Sequence, residues 1–468
     1  MNRTLPLVLA VALFMEHMDS TVIATALPAI AADIGTNPIS LKLALTAYFV
    51  SLAIFIPISG WMADRFGAKN VFRSAIFVFV VGSVLCAVSG SLGAFVFSRF
   101  LQGMGGAMMT PIARLVLVRA TPRSALVNAM AWLTIPALVG PLVGPPVGGF
   151  ITTYISWHWI FIINVPIGLI GILVSGRVLP EIRGEGKKPI DWTGFFLSAA
   201  AASGIVFGLS VISLPALPPV VGIVTTLVGL AAAAAYIRHS RRTADPLLNL
   251  RLFRSRAFRA ATGGGALFRI GTGAIPFLLP LMFQLIFGLS PFQSGMLTFV
   301  SALGALSMKF LATATLRAAG FRTVTIASAV GGGILIGAIA SFTAETPYPA
   351  IIAVLLGGGF LRSLFFTSTN ALAFVDIDDR QAGQATAISA VAQQVSIALA
   401  VACAGGLLEV VTVFSGGELD RGAFVVAFLV AGAIAVLSAL AFIGLPRDTG
   451  TAISGHRAKA AERPELQE

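Results

Sequence analysis

The chain has 468 residues, 57% of them hydrophobic and only 11% charged, with a mean hydropathy of +0.93. Soluble domains carry about 25% charged residues, so most of this chain is built for lipid, and its length says nothing about a number of soluble domains. A net charge of +12 would suit nucleic acid only on a basic face of a water-soluble fold, whereas these cations fall in short gaps between apolar runs, which argues against that partner.

A bilayer crossing needs about 20 apolar residues. Such runs are predicted at about 5–31, 41–63, 71–90, 92–117, 127–152 and 158–178. Two more follow at about 191–213 and 217–238, and a last group at about 258–286, 291–313, 322–343, 349–371, 384–408 and 422–444. The expectation is an all-α polytopic membrane protein with fourteen crossings in the order six, two, six. The first run is no cleaved leader: it has no small-residue cleavage motif and carries Glu16, His17 and Asp19 in its middle.

Cytoplasmic loops collect Lys and Arg. With both termini inside, only Lys42 and Arg421 of the 31 Lys and Arg residues face outward, and Arg99, Arg269 and Arg362 lie within runs. Arg65, Lys69, Arg73, Arg119, Arg123, Lys187, Lys188, Arg241, Arg242, Arg254 and Arg256 are among those placed on the cytoplasmic side. The chain then divides into a six-helix bundle at 1–180, a linker pair with its cytoplasmic flanks at 181–250, a second six-helix bundle at 251–446 and a polar tail at 447–468, expected to be disordered. Cys86 and Cys403 fall inside apolar runs, read as small packing residues, and no residues have the spacing of metal ligands.

Ionisable groups inside a bilayer are costly, so each is a candidate site. Glu16 and Asp19 are three residues apart, near one helix face. At ~1.5 Å per residue they lie roughly 17–21 Å from the cytoplasmic edge, and Arg99, roughly 10–12 Å below the outer edge of the fourth run, reaches about the same depth. Two readings follow: a structural ion pair that locks the two helices, or an acid that takes up and releases a proton beside a guanidinium. His17 points about 100° away from Glu16 and is expected to pack or hydrogen-bond. Arg269 and Arg362 have no acid in the ninth to twelfth runs, and Glu409 lies only at the outer margin of the thirteenth. Both arginines are expected to face a water-filled substrate cavity together with Gln102, Asn370 and Gln393, unless they snorkel or bond backbone carbonyls. Three embedded arginines against two acids favour an anionic or zwitterionic substrate over a dication.

Between the second and third runs, Gly60, Asp64, Arg65, Gly67 and Lys69 make a glycine-punctuated basic loop, in which Asp64 is expected to cap the third helix. The fifth run carries Gly140, Pro141, Gly144, Pro145, Gly148 and Gly149, a smooth face for close approach with prolines that bend the helix. It is either a generic packing face or a flexing element between two bundles.

These segments resemble a known family. Gly60 to Lys69 is similar to motif A of the major facilitator superfamily, Arg99 to Gly103 to motif B, and Gly140 to Gly149 to the antiporter motif C. Met18 to Pro28 resembles motif D of the fourteen-helix drug:proton antiporters, the EmrB/QacA group, and Trp157 to Gly168 the signature of that group at the sixth helix. The likeness covers about residues 5–446 and extends to the MdtD-type subgroup in the stretches around Arg269 and Arg362. It implies two bundles, alternating access to a central cavity, Asp19 as proton-coupling acid with Arg99 as its partner, and Asp64 and Arg65 as a gate. It also implies a monomer in the bacterial cytoplasmic (inner) membrane that exports small molecules, with the proton gradient as energy source and no cofactor or metal. Ala24 stands where motif D usually has asparagine, the second motif A around Arg317 to Arg322 lacks its acid, and the acids of cation-selective members are missing from the later helices. An exporter of an anionic metabolite or metal–carboxylate chelate is the alternative. Neither a nucleophile with a paired base nor a soluble regulatory domain supports a membrane-bound enzyme or sensor.

Overall fold

The computed structural model describes residues 4–122, 126–183, 189–212, 217–378, 381–446 and 449–450, without the side chains of 126–128, 131, 134–138, 310, 312 and 313. Arg123, Lys187, Lys188 and nearly all of the tail at 447–468 lie outside the described residues. Every regular element among the described residues is helical, as a chain in hydrocarbon requires when each backbone N–H must find its acceptor within its own segment.

In chain order the long helical segments are α1 (Thr4–Thr25), α2 (Pro38–Phe66), α3 (Ala68–Ala87), α4 (Leu92–Ala120), α5 (Leu126–Tyr154) and α6 (Trp159–Val178). Then come α7 (Trp192–Ile212), α8 (Pro219–Arg242), α9 (Arg256–Ile286), α10 (Pro291–Ile339), α11 (Tyr348–Leu372), α12 (Ala382–Phe414) and α13 (Arg421–Ile443). Twelve segments among the described residues are long and apolar enough to cross a membrane: all of these but α5, with α10 represented by its second part, Ala314–Ile339. The expected break between the tenth and eleventh runs is a single residue, Gly320, whose φ of 72° interrupts an otherwise continuous α10. Only glycine adopts that angle without Cβ strain.

Small residues set the closest approaches. A Cβ on Gly82 of α3 would lie 2.6 Å from Gln102 Cα of α4, and one on Gly103 would lie 2.8 Å from Ser51 Cβ of α2. Gly140, Gly144 and Gly148 seat α5 on α1, against Met18, Thr21 and Val22, while Gly149 sits on Pro291 and Phe292 of α10. The motif C face is therefore a two-sided contact that binds α5 to α1 and to the second group of helices. In the α7–α8 pair a Cβ on Gly204 would meet Gly229 Cα at 2.7 Å. Phe195 of α7 packs with Val50, Ile54 and Ile58 of α2 and with Ala398 of α12, so the pair touches one helix from each group.

The turn at Gly67 corrects an expectation. The helix runs on through Ser59–Phe66, and the chain reverses at Gly67, whose φ is 89° and which is the N-cap of α3 without a side-chain cap. Gly60 therefore lies inside a helix, and Asp64 lies in its last turn, too early to reach the first N–H groups of α3. Asp64 instead accepts from Arg119 Nη1 of α4 at 2.8 Å.

At the opposite end of the bundle, marked by Gly35 between α1 and α2, hydrogen bonds among the described residues tie α1–α6 to α9–α13. Gln284 Nε2 donates to Thr25 O at 3.0 Å, and the Phe292 N–H donates to Thr153 Oγ1 at 3.1 Å. Lys42 Nζ of α2 donates to Glu409 Oε2 of α12. The sequence reading left Lys42 outside the bilayer and Glu409 at a helix margin; both are buried and they form an ion pair.

Candidate functional site

Arg99 is brought to α1 by the close approach of α3 and α4 at Gly82 and Gln102. Its Nη1 donates to Asp19 Oδ2 at 2.7 Å and also to Gln102 Oε1. Gln102 Nε2 donates to Asp19 Oδ1 at 2.8 Å and Asn164 Nδ2 to the same oxygen at 2.8 Å. Both amides also donate to Ser83 Oγ, at 2.8 and 3.2 Å, which fixes their orientation. One carboxylate thus receives three donors from α4 and α6, two of them held in turn by α3. The Arg99 guanidinium lies 4.2 Å from the Tyr48 ring centroid, so its free face is covered by an aromatic plane that attracts cations.

Of the residues predicted to meet, Asp19 and Arg99 do so directly. Glu16 does not join them: its Oε2 accepts from Thr110 Oγ1 at 2.8 Å, about three turns beyond Arg99 along α4. His17 turns aside, with Nδ1 2.8 Å from Leu13 O. Gln102, expected at the substrate cavity, is completely buried in the Asp19 network instead. Asn164 was not singled out as a site residue; its signal is an amide in an otherwise apolar stretch just after Trp157.

A cavity of about 350 Å³ opens between α1 and α5 on one side and α9, α10 and α11 on the other, with Thr21, Pro141 and Pro145 facing Lys309, Arg362 and Asn370. A second of about 360 Å³ shares Thr21, Arg362, Phe366 and Asn370 with it and reaches Arg269 and Gln393. Arg362 Nη2 donates to Ser301 Oγ at 3.3 Å, and the Arg269 guanidinium lies 4.6 Å from the Phe366 ring centroid. Lys309, counted from the sequence among the cytoplasmic cations, lines the cavity and donates to Thr367 Oγ1 at 2.9 Å. No Asp or Glu is among the described lining residues of either space. Most of the remaining wall is apolar, with Ala24, Pro276, Leu279 and Phe366 contributing. The described residues hold no group of His, Cys, Asp and Glu fit for a metal ion.

The geometry is that of a polytopic protein with a central space and a buried charge network beside it. The family model described as the Major Facilitator Superfamily matches residues 9–237 and 261–467. The chain belongs to the major facilitator superfamily. It is a multi-pass membrane transporter of small molecules, and the MdtD resemblance read from its motifs holds over nearly its whole length. It is 34% identical over 97% of this chain and 98% of the relative to "Putative multidrug resistance protein MdtD" of Yersinia enterocolitica. It is 38% identical to "Probable transport protein HsrA" of Haemophilus influenzae over 91% of this chain and 92% of that one. Among solved structures, a D-xylose-proton symporter superposes with a TM-score of 0.69 at 16% identity, covering 96% of this chain and 98% of that one. The POT family transporter PepTSo does so with 0.70 at 14%, covering 94% and 97%. These two share the fold.

Against this superfamily's two-bundle plan, the cavity lies where the two groups of helices face one another, and the Asp19–Arg99 network lies wholly within the first group.

Proposed function

We propose that this transporter is a proton-coupled exporter of the fourteen-helix EmrB/QacA type, in which α1–α6 and α9–α13 rock about the central cavity. The observation that carries the reading is a first helix with two buried acids, Asp19 on a buried guanidinium and Glu16 on Thr110, beside a cavity that neither lines. Such a network can change protonation without touching the cargo, which is what coupling two fluxes requires. The thirteenth and fourteenth crossings are α5 and the first part of α10: α5 has 29 residues, about 44 Å at 1.5 Å each, ample for a ~30 Å core. Positive charge at the Gly67 end puts that end and both termini in the cytoplasm of a bacterial inner-membrane protein. The end tied by Lys42 and Glu409 is then the outer one, and the arrangement is closed to the outside.

A second reading is favoured by the cavity itself. Lys309, Arg362 and Arg269 supply three cations to its wall with no facing acid among the described residues, which suits an anionic metabolite or a metal–carboxylate chelate better than a dication. Vesicles of the reconstituted protein, loaded with a pH-sensitive dye and offered cationic dyes and carboxylates in turn, test both. Proton movement opposite to the cargo is expected with at least one substrate, and cargo flux with no proton flux overturns coupling. Preference for dicationic dyes over carboxylates overturns the anionic reading alone.

A further inference from the structure

The two carboxyls of α1 are treated differently by their surroundings. Asp19 is held at both oxygens by Arg99, Gln102 and Asn164, and the charge of Arg99 is spent on it. Loss of its negative charge would leave a guanidinium buried without a counter-ion, which is among the costliest defects a folded protein can carry. Among the described residues Glu16 receives one donor, Thr110 Oγ1, and no Lys or Arg nitrogen lies within ion-pair distance of it. An ionised carboxylate with a single neutral donor at this depth is poorly paid for its lost hydration; the protonated acid, which also donates, fits the place better.

Around Glu16 the titratable and charged groups are His17 and Asp19 on its own helix, Arg114 one turn beyond Thr110 on α4, and Tyr48 on α2. Among the other packed helices, α5 carries no titratable side chain before Tyr154 and α6 none before Arg177. Tyr48 is fully buried and its hydroxyl has no hydrogen-bond partner. A Cβ placed on Gly106 would lie 3.2 Å from the Tyr48 hydroxyl and 3.6 Å from Glu16 Cγ, so that hydroxyl and the Glu16 chain border the same spot. Tyr48 therefore stands between the two carboxyls, its ring on Arg99 and its hydroxyl on the side of Glu16. Glu16 is also the more accessible of the two, at 8% exposure against 2% for Asp19.

We infer that Glu16 is the carboxyl that binds and releases the transported proton, while Asp19 stays held in the arginine cage and Tyr48 is poised to donate to Glu16 when its proton leaves. The inference rests on the proton-coupled reading above and assigns the proton to a residue other than the one expected from motif D. The step is a plain acid dissociation: the Glu16 O–H bond breaks, the proton passes to water on the side to which the protein opens, and Thr110 and Tyr48 hold the carboxylate left behind.

Infrared difference spectra of the purified protein in lipid, recorded across a pH titration, test this without any cargo. The wild-type protein is expected to show a carboxylic-acid carbonyl band that titrates, and Glu16→Gln to lack it. Thr110→Val, which removes a donor to the ionised form, is expected to raise the midpoint of the band by about one pH unit. Tyr48→Phe is expected to raise it as well, with Asp19 and Arg99 untouched. A titrating band that survives unchanged in Glu16→Gln, or a midpoint indifferent to Thr110→Val, overturns the assignment. Wild-type vesicles that move no proton with any cargo would instead sink the coupled-exporter reading while leaving the titration result standing.

Discussion

Arg99 is the residue at which the fold and the proposed coupling share the same contacts. It is buried, it bridges α4 to α1, and its Nη1 serves both Asp19 and Gln102. Truncating one member of such a pair costs about 3–5 kcal/mol because the other charge is left alone. Arg99→Ala is therefore expected to lower the thermal stability of the detergent-solubilised protein far more than Arg99→Ala combined with Asp19→Asn, and equal destabilisation by the two would show that Asp19 is paired elsewhere. The pair was legible from sequence because depth along a straight helix follows from counting residues, and two helices running in opposite directions bring positions 19 and 99 to one level. The partners that complete it were less legible. Gln102 and Asn164 are amides in apolar runs, and nothing in such a run says whether an amide faces a cavity or a carboxylate.

Among elements, the α7–α8 pair is anchored by one acid. Asp191, just ahead of α7, accepts from Gly194 N–H at 2.8 Å, from Leu247 N–H at 3.1 Å and lies 2.7 Å from His239 Nε2. Burial alone would raise its carboxyl, but the two backbone N–H groups and His239 outweigh that and hold it below the ordinary carboxylate range. Ionisation thus favours the folded anchor: its contribution is whole above the unfolded value of about 3.9 and is lost as the pH falls through the lower folded value. Protection of the amides at the start of α7, taken relative to their intrinsic exchange rate at each pH, is expected to fall on acidification through that window, and Asp191→Ala is expected to show the low protection already at neutral pH, with about 1 kcal/mol of capping removed. Protection in the wild type that does not change with pH would mean that α7 is held by packing alone. Helix existence and order were legible from run length, since the bilayer imposes one length on every crossing. The connections were not: whether a glycine breaks a helix depends on its φ, and Gly60 continues one while Gly67 and Gly320 interrupt theirs.

For the molecule as a whole, the ion pair of Lys42 with Glu409 joins residues 367 positions apart and ties α2 to α12 at the Gly35 end. No sequence signal fixes the register of those two helices against each other, so the pair could not be read in advance. Its place across the two groups of helices makes it a latch. Glu409→Gln is expected to shift the population toward the form open at that end, seen as greater labelling of a cysteine introduced there by a membrane-impermeant thiol reagent. The swap Lys42→Glu with Glu409→Lys is expected to restore the closed form. Unchanged labelling in Glu409→Gln would show that the hydrogen bonds of Gln284 and Phe292 hold that end without it.

The α7–α8 hairpin leans on α2 and on α12 through Phe195 and leaves most of the apolar surface of α8, including Val224, Leu227 and Val228, uncovered. In the rocking cycle proposed above, one of those supports must slide beneath the hairpin, and the surrounding acyl chains must make room as it tilts. Membrane thickness then becomes a load on the transport cycle, small per ångström but paid at each turnover. The transporter would feel the lipid it sits in, running at its own pace in each bilayer without any ligand to set it.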